Sequence, residues 1–188
     1  MKKFLKDISL IAIYDYPNNN KISFDCGRND LNQFLIEEAI SFQNELLGFS
    51  YLGVKTETQE IIFYYTLQND RITKKNLSYH VASSKWKKFQ HISPITNFPA
   101  LKIGRLAVSL SSQDKKIGSK IIDYIKQKAL TNRSLGGCRF ITVDSDPRQP
   151  VINFYIKNSF IPLISSDKIE NFIQNNKKVP MFFDLKNL

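Results

Sequence analysis

The sequence is short of the residues that mark several protein classes. It has only two cysteines, Cys26 and Cys138, which lie far apart and show no metal-ligand spacing with His80 or His91. A disulfide framework and a zinc site therefore have no basis, and a reducing cytoplasm is the expected location. Seven glycines and seven prolines in 188 residues exclude collagen-like and low-complexity classes.

Long apolar runs are also missing. Runs such as residues 61–65 are far shorter than the ~18 residues needed to cross a bilayer. Residues 1–3 lead into no secretory apolar region, because Lys6 and Asp7 interrupt it. We therefore expect neither a membrane span nor export.

What is present indicates one folded, basic domain. No repeat, linker or composition shift divides the chain, so a single domain over residues 1–188 is expected. The 27 Lys and Arg residues outnumber the 17 Asp and Glu residues and give a net charge of +10. That surplus favours a polyanionic partner, meaning nucleic acid, an acidic protein or a phosphorylated cofactor. The alternative is a lysine-rich composition that serves solubility.

The first half of the chain predicts a helix and a hairpin. Residues 22–26 alternate like a short strand, and Asn29 or Asp30 can cap the helix that follows. Residues 49–55 and 61–67 are rich in aromatic and β-branched side chains, as in an antiparallel hairpin. The apolar positions of the helix are Leu31, Phe34, Leu35, Ala39 and Phe42.

The second half predicts a strand-loop-helix-strand unit. Residues 101–108 indicate a buried strand, residues 109–116 a polar loop, and residues 138–143 the returning strand. The helix between them has an apolar stripe at Ile117, Ile121, Ile122, Ile125 and Ala129.

The remaining elements complete the predicted fold class. Another helix is expected from near Pro150, followed by closing strands at residues 160–163 and 179–185. Strands and helices alternate in the second half, whereas the first half holds a hairpin. The pattern predicts an α/β (α+β) fold, with a central, mixed, mostly antiparallel sheet of six to seven strands flanked by helices on both faces.

The loop at residues 111–119 leads straight into a predicted helix. Free backbone N–H groups and the positive helix terminus converge there and can bind an anion such as pyrophosphate. Gly118 lets a ligand approach the backbone, and Lys115 and Lys116 add positive charge. The alternative is an ordinary helix start with solvated lysines.

Several segments together resemble one family. Residues 99–163 resemble the GNAT superfamily of acetyl-CoA-dependent N-acyltransferases through IGRLAV at 103–108, the loop at 113–118, NFY at 153–155 and FIPL at 160–163. Three upstream segments are similar to those of the GNAT toxins of type II toxin–antitoxin modules: FDCG at 24–27, LNQFL at 31–35 and YYTL at 64–67. The matches follow the family order.

The resemblance implies a GNAT fold and acetyl-CoA as the cofactor. The cofactor-binding residues that it implies are Leu106, Ala107, Val108, Gln113, Asp114, Lys115, Lys116, Ile117, Gly118, Ser119 and Asn153. The sequence departs from the family at two glycine positions, which hold Lys116 and Ser159. These departures leave open a non-catalytic binding protein on a GNAT scaffold.

The resemblance also implies that Tyr155 protonates the departing CoA thiolate. A phenol of pKa ~10 is protonated at neutral pH and can serve as this acid. The alternative is that Tyr155 is only a polar-tipped aromatic of a core helix. Residues 101–108 contain no carboxylate or histidine to deprotonate the substrate amine. This favours an α-amine of pKa ~7.7–8.0 over a lysine amine of pKa ~10.4.

In the toxin branch that α-amine belongs to aminoacyl-tRNA, and its acetylation blocks translation. An alternative substrate is a small amine or a protein N-terminus. A ribbon-helix-helix antitoxin and a homodimer are partners that the resemblance leaves open.

A basic segment supports a large anionic substrate. Residues 71–91 contain no acidic residue, and Trp86 could stack on an exposed base of a tRNA end. The alternative is a solvated amphipathic helix with Trp86 in the core. The candidate nucleic-acid-binding residues are Arg71, Lys74, Lys75, Lys85, Lys87 and Lys88.

Overall fold

The computed structural model describes residues 7–17, 21–77, 96–131 and 137–188. The strands in this part of the chain are β1 (Ile8–Ala12), β2 (Phe49–Lys55), β3 (Ile61–Thr73), β4 (Asn97–Val108), β5 (Phe140–Ser145), β6 (Ile161–Pro162) and β7 (Val179–Asp184). The helices are α1 (Asn29–Gln33), α2 (Ala39–Asn44), α3 (Lys74–Leu77), α4 (Ile117–Thr131), α5 (Gln149–Lys157) and α6 (Ser166–Gln174). A π-helical segment, Phe34–Glu38, joins α1 to α2.

The described strands form one mixed sheet in the order β1-β2-β3-β4-β5-β7-β6. The pairs β1–β2, β2–β3, β5–β7 and β6–β7 are antiparallel. β4 and β5 are parallel and pair through Ala100–Lys102 and Phe140–Thr142. The predicted α/β class with a mostly antiparallel sheet of six to seven strands is confirmed.

The chain divides into two compact units that are discontinuous in sequence. The first contains Met1–Gln68 and Ile103–Asp123, and the second contains Asn69–Lys102 and Tyr124–Leu188. Strands β3 and β4 each contribute residues to both units. The single domain over residues 1–188 stays a prediction.

The helical segment from α1 to α2 closes the core of the first unit. Its predicted apolar positions face inward: Phe34, Leu35 and Ala39 are buried, and Leu31 and Phe42 pack against them. The predicted caps were wrong, because the N-cap is Arg28 and makes no side-chain capping bond. The Arg28 guanidinium binds the Asp30 carboxylate at 3.0 Å and lowers the pKa of that carboxyl. Asp30 is therefore engaged with a cation in the first turn.

Residues 22–26 alternate in burial as predicted but do not form a strand. Ile22, Phe24 and Cys26 are buried in the first core. The backbone N–H of Cys26 donates to a side chain, Oδ1 of Asn32, at 3.0 Å. The carbonyl of Asp25 accepts from the N–H of Leu110 at 2.9 Å. Because these groups have partners in a loop and a helix, the alternation reflects burial without a strand ladder.

The second unit packs around aromatic rings on its strands. Phe140 of β5 makes edge-to-face contacts with Phe98 of β4 and Phe182 of β7, with centroid distances of 5.9 and 5.7 Å. β5 begins and ends two residues later than residues 138–143 predicted. The closing strand predicted at 160–163 shrinks to Ile161–Pro162, since proline cannot donate to the ladder.

Sequence patterns missed β1 and α6. The half-buried side chains of α6 are Ile169, Phe172 and Ile173, a short stripe between polar residues. In the described ranges, no helix has both the length and the apolar character needed to span a bilayer.

Candidate active site

The predicted pyrophosphate loop lies at the start of a long helix. β4 ends at Val108, a short 3₁₀ turn covers Leu110–Ser112, and α4 begins at Ile117. The first intrahelical bond at this end runs from the N–H of Lys120 to the carbonyl of Lys116. The N–H groups that precede it have no helical acceptor, so this end of α4 presents donors and a positive dipole.

The loop backbone contains two left-handed residues. Asp114 and Lys116 have positive φ angles of 62° and 57°, and Lys115 lies between them. Left-handed residues occur in loops whose successive N–H groups line a concave anion site. The pyrophosphate site at this loop stays a prediction, and the left-handed backbone of Asp114 and Lys116 is compatible with it.

Both departures from the family glycines keep a glycine-like backbone. Lys116 and Ser159 have positive φ angles of 57° and 64°. The left-handed region costs a side-chain-bearing residue roughly 1–2 kcal/mol relative to the right-handed region. Both residues therefore hold a backbone angle that glycine adopts freely, and the cost is conformational strain.

Lys116→Gly is expected to stabilise the protein, because glycine adopts a positive φ without strain. The gain should be roughly 0.5–1 kcal/mol after the greater unfolded-state freedom of glycine is subtracted. Ser159→Gly should behave likewise, with a rise in melting temperature of about 2 °C for each. Lys120→Gly, at an exposed helical position of α4, is the control and should destabilise by about 1 kcal/mol. Thermal unfolding measures all three, and a lower melting temperature for Lys116→Gly would contradict the strained loop.

The side chain of Gln113 anchors the loop to the protein. Its Nε2 donates to the carbonyl oxygens of Cys26 and Val108, both at 3.0 Å. The two amide hydrogens are therefore engaged within the first unit. Gln113 stays a predicted cofactor-binding residue, and its side chain fixes the loop onto the end of β4.

Sequence reasoning missed the network behind this anchor. Asn32 accepts from the N–H of Cys26 at 3.0 Å and donates from Nδ2 to Asp25 at 2.8 Å. Asp25 also accepts from the N–H of Gly27 at 2.8 Å, and both bonds lower the pKa of its carboxyl. Burial raises the pKa of the Cys26 thiol, which donates to Asn32 at 3.1 Å. The FDCG and LNQFL motifs, which carried only the resemblance, thus support the carbonyl that Gln113 holds.

The other predicted loop residues vary in exposure. Ile117 is buried, whereas Gly118 and Ser119 are half-buried at the start of α4. Lys115 folds back, and its Nζ donates to the carbonyl of Ser111 at 2.9 Å. At the end of β4, Ala107 is buried and its neighbours Leu106 and Val108 are half-buried.

Tyr155 lies in α5, which belongs to the second unit. Its ring is buried and makes edge-to-face contacts with Phe154 and Phe160 at centroid distances of 5.1 and 5.5 Å. Burial raises the pKa of the hydroxyl well above its ordinary value, so the phenol is protonated throughout the physiological range. Among the described residues the hydroxyl has no hydrogen-bond partner. Tyr155 is therefore a core aromatic with a protonated hydroxyl, and its role as an acid stays a prediction.

Asn153 lies on the exposed face of α5. Its Oδ1 accepts from Nε2 of Gln149 at 2.8 Å, one helical turn earlier. The helix has Pro150 in its first turn, where a missing N–H is tolerated.

Half of the predicted nucleic-acid-binding residues lie in the described structure. Arg71 near the end of β3 and Lys74 and Lys75 in α3 are all exposed. Lys85, Lys87 and Lys88, together with Trp86, lie outside the described residues. Within the described ranges, no group of three or more His, Cys, Asp or Glu side chains could hold a metal ion.

Solved structures match this chain along nearly its whole length, although no protein-family model matches it. A crystal structure of a tyrosine-to-phenylalanine mutant of KacT has a TM-score of 0.76 and 21% identity, covering 97% of each chain. AtaT complexed with acetyl-methionyl-tRNAfMet has a TM-score of 0.71 and 22% identity over 96% of each chain. An AtaT mutant toxin bound to the C-terminus of the antitoxin AtaR and acetyl-CoA has a TM-score of 0.66 and 19% identity, covering 97% of this chain and 96% of that one.

TM-scores of 0.66–0.76 over nearly the whole chain establish the fold. The chain has the GNAT fold that its motifs predicted, in the form that these toxin structures share.

Proposed function

We propose that the protein is an acetyl-CoA-dependent N-acetyltransferase that acetylates the α-amine of aminoacyl-tRNA and thereby blocks translation. The observation that carries this proposal is the loop at residues 113–119, whose left-handed residues Asp114 and Lys116 lead into the N-terminus of α4 on a GNAT fold. KacT and AtaT share the fold, and AtaT has been solved with acetyl-CoA and with acetyl-methionyl-tRNA.

The residues of the loop fit the pyrophosphate of coenzyme A. The N–H groups around Lys116 and Gly118 bind phosphate oxygens, and the helix dipole of α4 adds to the attraction. Gln113 holds the loop closed onto Cys26 and Val108. In this proposal the edge of β4 at residues 106–108 binds the pantetheine arm, and Asn153 is a further cofactor-binding residue. Bound acetyl-CoA supplies the acetyl group as a thioester.

Tyr155 acts as the general acid in this proposal. The α-amine attacks the thioester carbonyl, the C–N bond forms and the C–S bond breaks. The Tyr155 hydroxyl gives its proton to the departing thiolate sulfur, and the proton lost from the amine returns through water to the Tyr155 phenolate. Burial raises the pKa of Tyr155. The phenol therefore holds its proton at neutral pH, and a general acid must be protonated before the transfer.

Charge and strand composition support aminoacyl-tRNA as the substrate. The net charge of +10 and the exposed Arg71, Lys74 and Lys75 favour a polyanion. β4 has no carboxylate or histidine at residues 101–108, which suits an amine that is already partly neutral at pH 7.

An antitoxin partner and a homodimer are part of the same proposal, as is a reducing cytoplasm in which Cys26 and Cys138 stay free thiols.

Acetyl-CoA is expected to raise the melting temperature, because a ligand that binds only the native state stabilises it by mass action. At about 100 times its Kd the gain is roughly 2.7 kcal/mol. Wild-type protein should then transfer labelled acetyl to charged tRNA and leave uncharged tRNA unlabelled. Free amino acids and N-terminal peptides are the competing substrates. The absence of a thermal shift at millimolar acetyl-CoA would contradict the proposal that the protein is an acetyl-CoA-dependent enzyme. Labelling of peptides alone would contradict aminoacyl-tRNA as the substrate.

A further inference from the structure

Lys126 is a buried lysine on the apolar side of α4. Its side chain is 4% exposed, and it follows the buried Ile122 and Ile125 of the same helix. Removing an ammonium group from water is costly unless hydrogen bonds and other favourable contacts replace the water. The partners of Lys126 therefore indicate what the buried charge does.

The ammonium group binds the C-terminal end of α5. Its Nζ donates to the carbonyl oxygen of Asn158, the C-cap residue, at 2.7 Å. It also lies 3.7 Å from the ring centroid of Phe183 and 5.5 Å from that of Phe160. A cation at a helix C-terminus and over aromatic faces is stabilised by the helix dipole and by the ring electrons.

Two of these partners hold Tyr155. The N–H groups of Asn158 and Phe160 each donate to the carbonyl of Tyr155 at 3.0 Å. The ring of Phe160 packs edge-to-face against the ring of Tyr155 at 5.5 Å. Between them lies Ser159, whose φ of 64° makes the turn that brings Phe160 back over the helix end. The backbone and the ring of Tyr155 are thus both set by residues that Lys126 contacts.

The Tyr155 hydroxyl has no hydrogen-bond partner among the described residues. The contacts of its ring and its backbone carbonyl therefore help to fix where the hydroxyl oxygen lies. A side chain that holds the packing neighbours consequently controls the position of the proton donor. We propose that Lys126 is a positioning residue for Tyr155, acting through the Asn158 carbonyl and the Phe160 ring. This inference rests on the proposed function of Tyr155 as the acid.

The first test is the steady-state kinetics of Lys126→Met, which keeps the length of the side chain and removes its charge. We expect kcat to fall at least tenfold while the KM for acetyl-CoA stays within twofold. Lys128→Met, at an exposed position of the same helix, is the matched control and should leave both constants unchanged. Phe183→Leu removes the ring beneath the ammonium without touching Tyr155, and should give a smaller fall in kcat alone. If the role of Lys126 were purely structural, fewer molecules would be active. The kcat per active site and the KM would then both stay at their wild-type values.

The second test does not depend on activity. In protein with labelled tyrosine rings, the Tyr155 signal is assigned by its loss in Tyr155→Phe. It should shift or broaden in Lys126→Met and stay in place in Lys128→Met. An unchanged Tyr155 signal with an unchanged kcat would overturn the positioning role. If Lys126→Met does not fold, Phe183→Leu decides by the same two measurements. If wild type acetylates no amine, the proposed function fails, and the ring signal alone decides whether Lys126 positions Tyr155.

Discussion

Tyr155→Phe is expected to lower turnover by about 10²–10⁴-fold, the usual contribution of a general acid. The change removes one hydroxyl that has no hydrogen-bond partner among the described residues, and it keeps the ring between Phe154 and Phe160. Packing and acetyl-CoA binding should therefore survive. The measurements are single-turnover acetyl transfer, thermal unfolding and acetyl-CoA titration on the same preparation.

Tyr124→Phe is the matched control, since Tyr124 is a half-buried tyrosine of α4 outside the proposed chemistry. It should turn over like wild type. Under the toxin proposal, expression of Tyr155→Phe without antitoxin should no longer arrest growth. Near-normal turnover with unaltered acetyl-CoA affinity would show that another donor protonates the thiolate. A wild-type melting temperature is needed for either conclusion, because an unfolded variant also loses activity.

The pH dependence follows from the burial of Tyr155. Burial raises the pKa of the hydroxyl, so the acid stays protonated from acidic pH to above pH ~10, its ordinary value. The α-amine of the substrate becomes neutral through pH ~7.7–8.0. The rate should therefore rise through that range and show no fall attributable to Tyr155 below pH ~10. A falling limb near neutral pH that Tyr155→Phe abolishes would contradict this assignment.

Gly118→Val is expected to abolish the stabilisation by acetyl-CoA. Gly118 is the second residue of α4 and does not have a positive φ, so valine can adopt its backbone conformation. The branched side chain should instead occupy the space of the phosphates at the helix terminus. A shift of about 5–10 °C at saturating acetyl-CoA should be lost. Thermal unfolding with and without the cofactor gives the result.

Two variants separate a blocked site from a weakened helix. Gln127→Val places the same β-branched residue at an exposed position of α4 and should keep the full cofactor shift. Gly118→Ala adds a single methyl group and should keep part of it. A full shift in Gly118→Val would show that the pyrophosphate binds elsewhere, which would remove the loop from the proposed site.

Local patterns in the sequence predicted most of the elements, because an element that buries one face has apolar residues at periodic positions. The stripe of Ile117, Ile121, Ile122 and Ile125 gave α4, and all four side chains are buried. The same logic gave a strand at residues 22–26, where burial alternates but the backbone groups bond to Asn32 and Leu110. Periodicity reports which side chains are buried, and it does not report where the backbone hydrogen bonds go.

The sequence by itself determined the order of the GNAT motifs, the strand-loop-helix unit, the position of Tyr155 and the excess of positive charge. Only the tertiary structure showed that Lys116 and Ser159 keep left-handed backbones, that Gln113 bonds to Cys26, and that Lys126 is buried against α5. Those contacts join residues far apart in the chain, or depend on a backbone angle that lysine and serine seldom adopt. A local pattern cannot encode them, because their energies come from partners that only folding brings within hydrogen-bond distance.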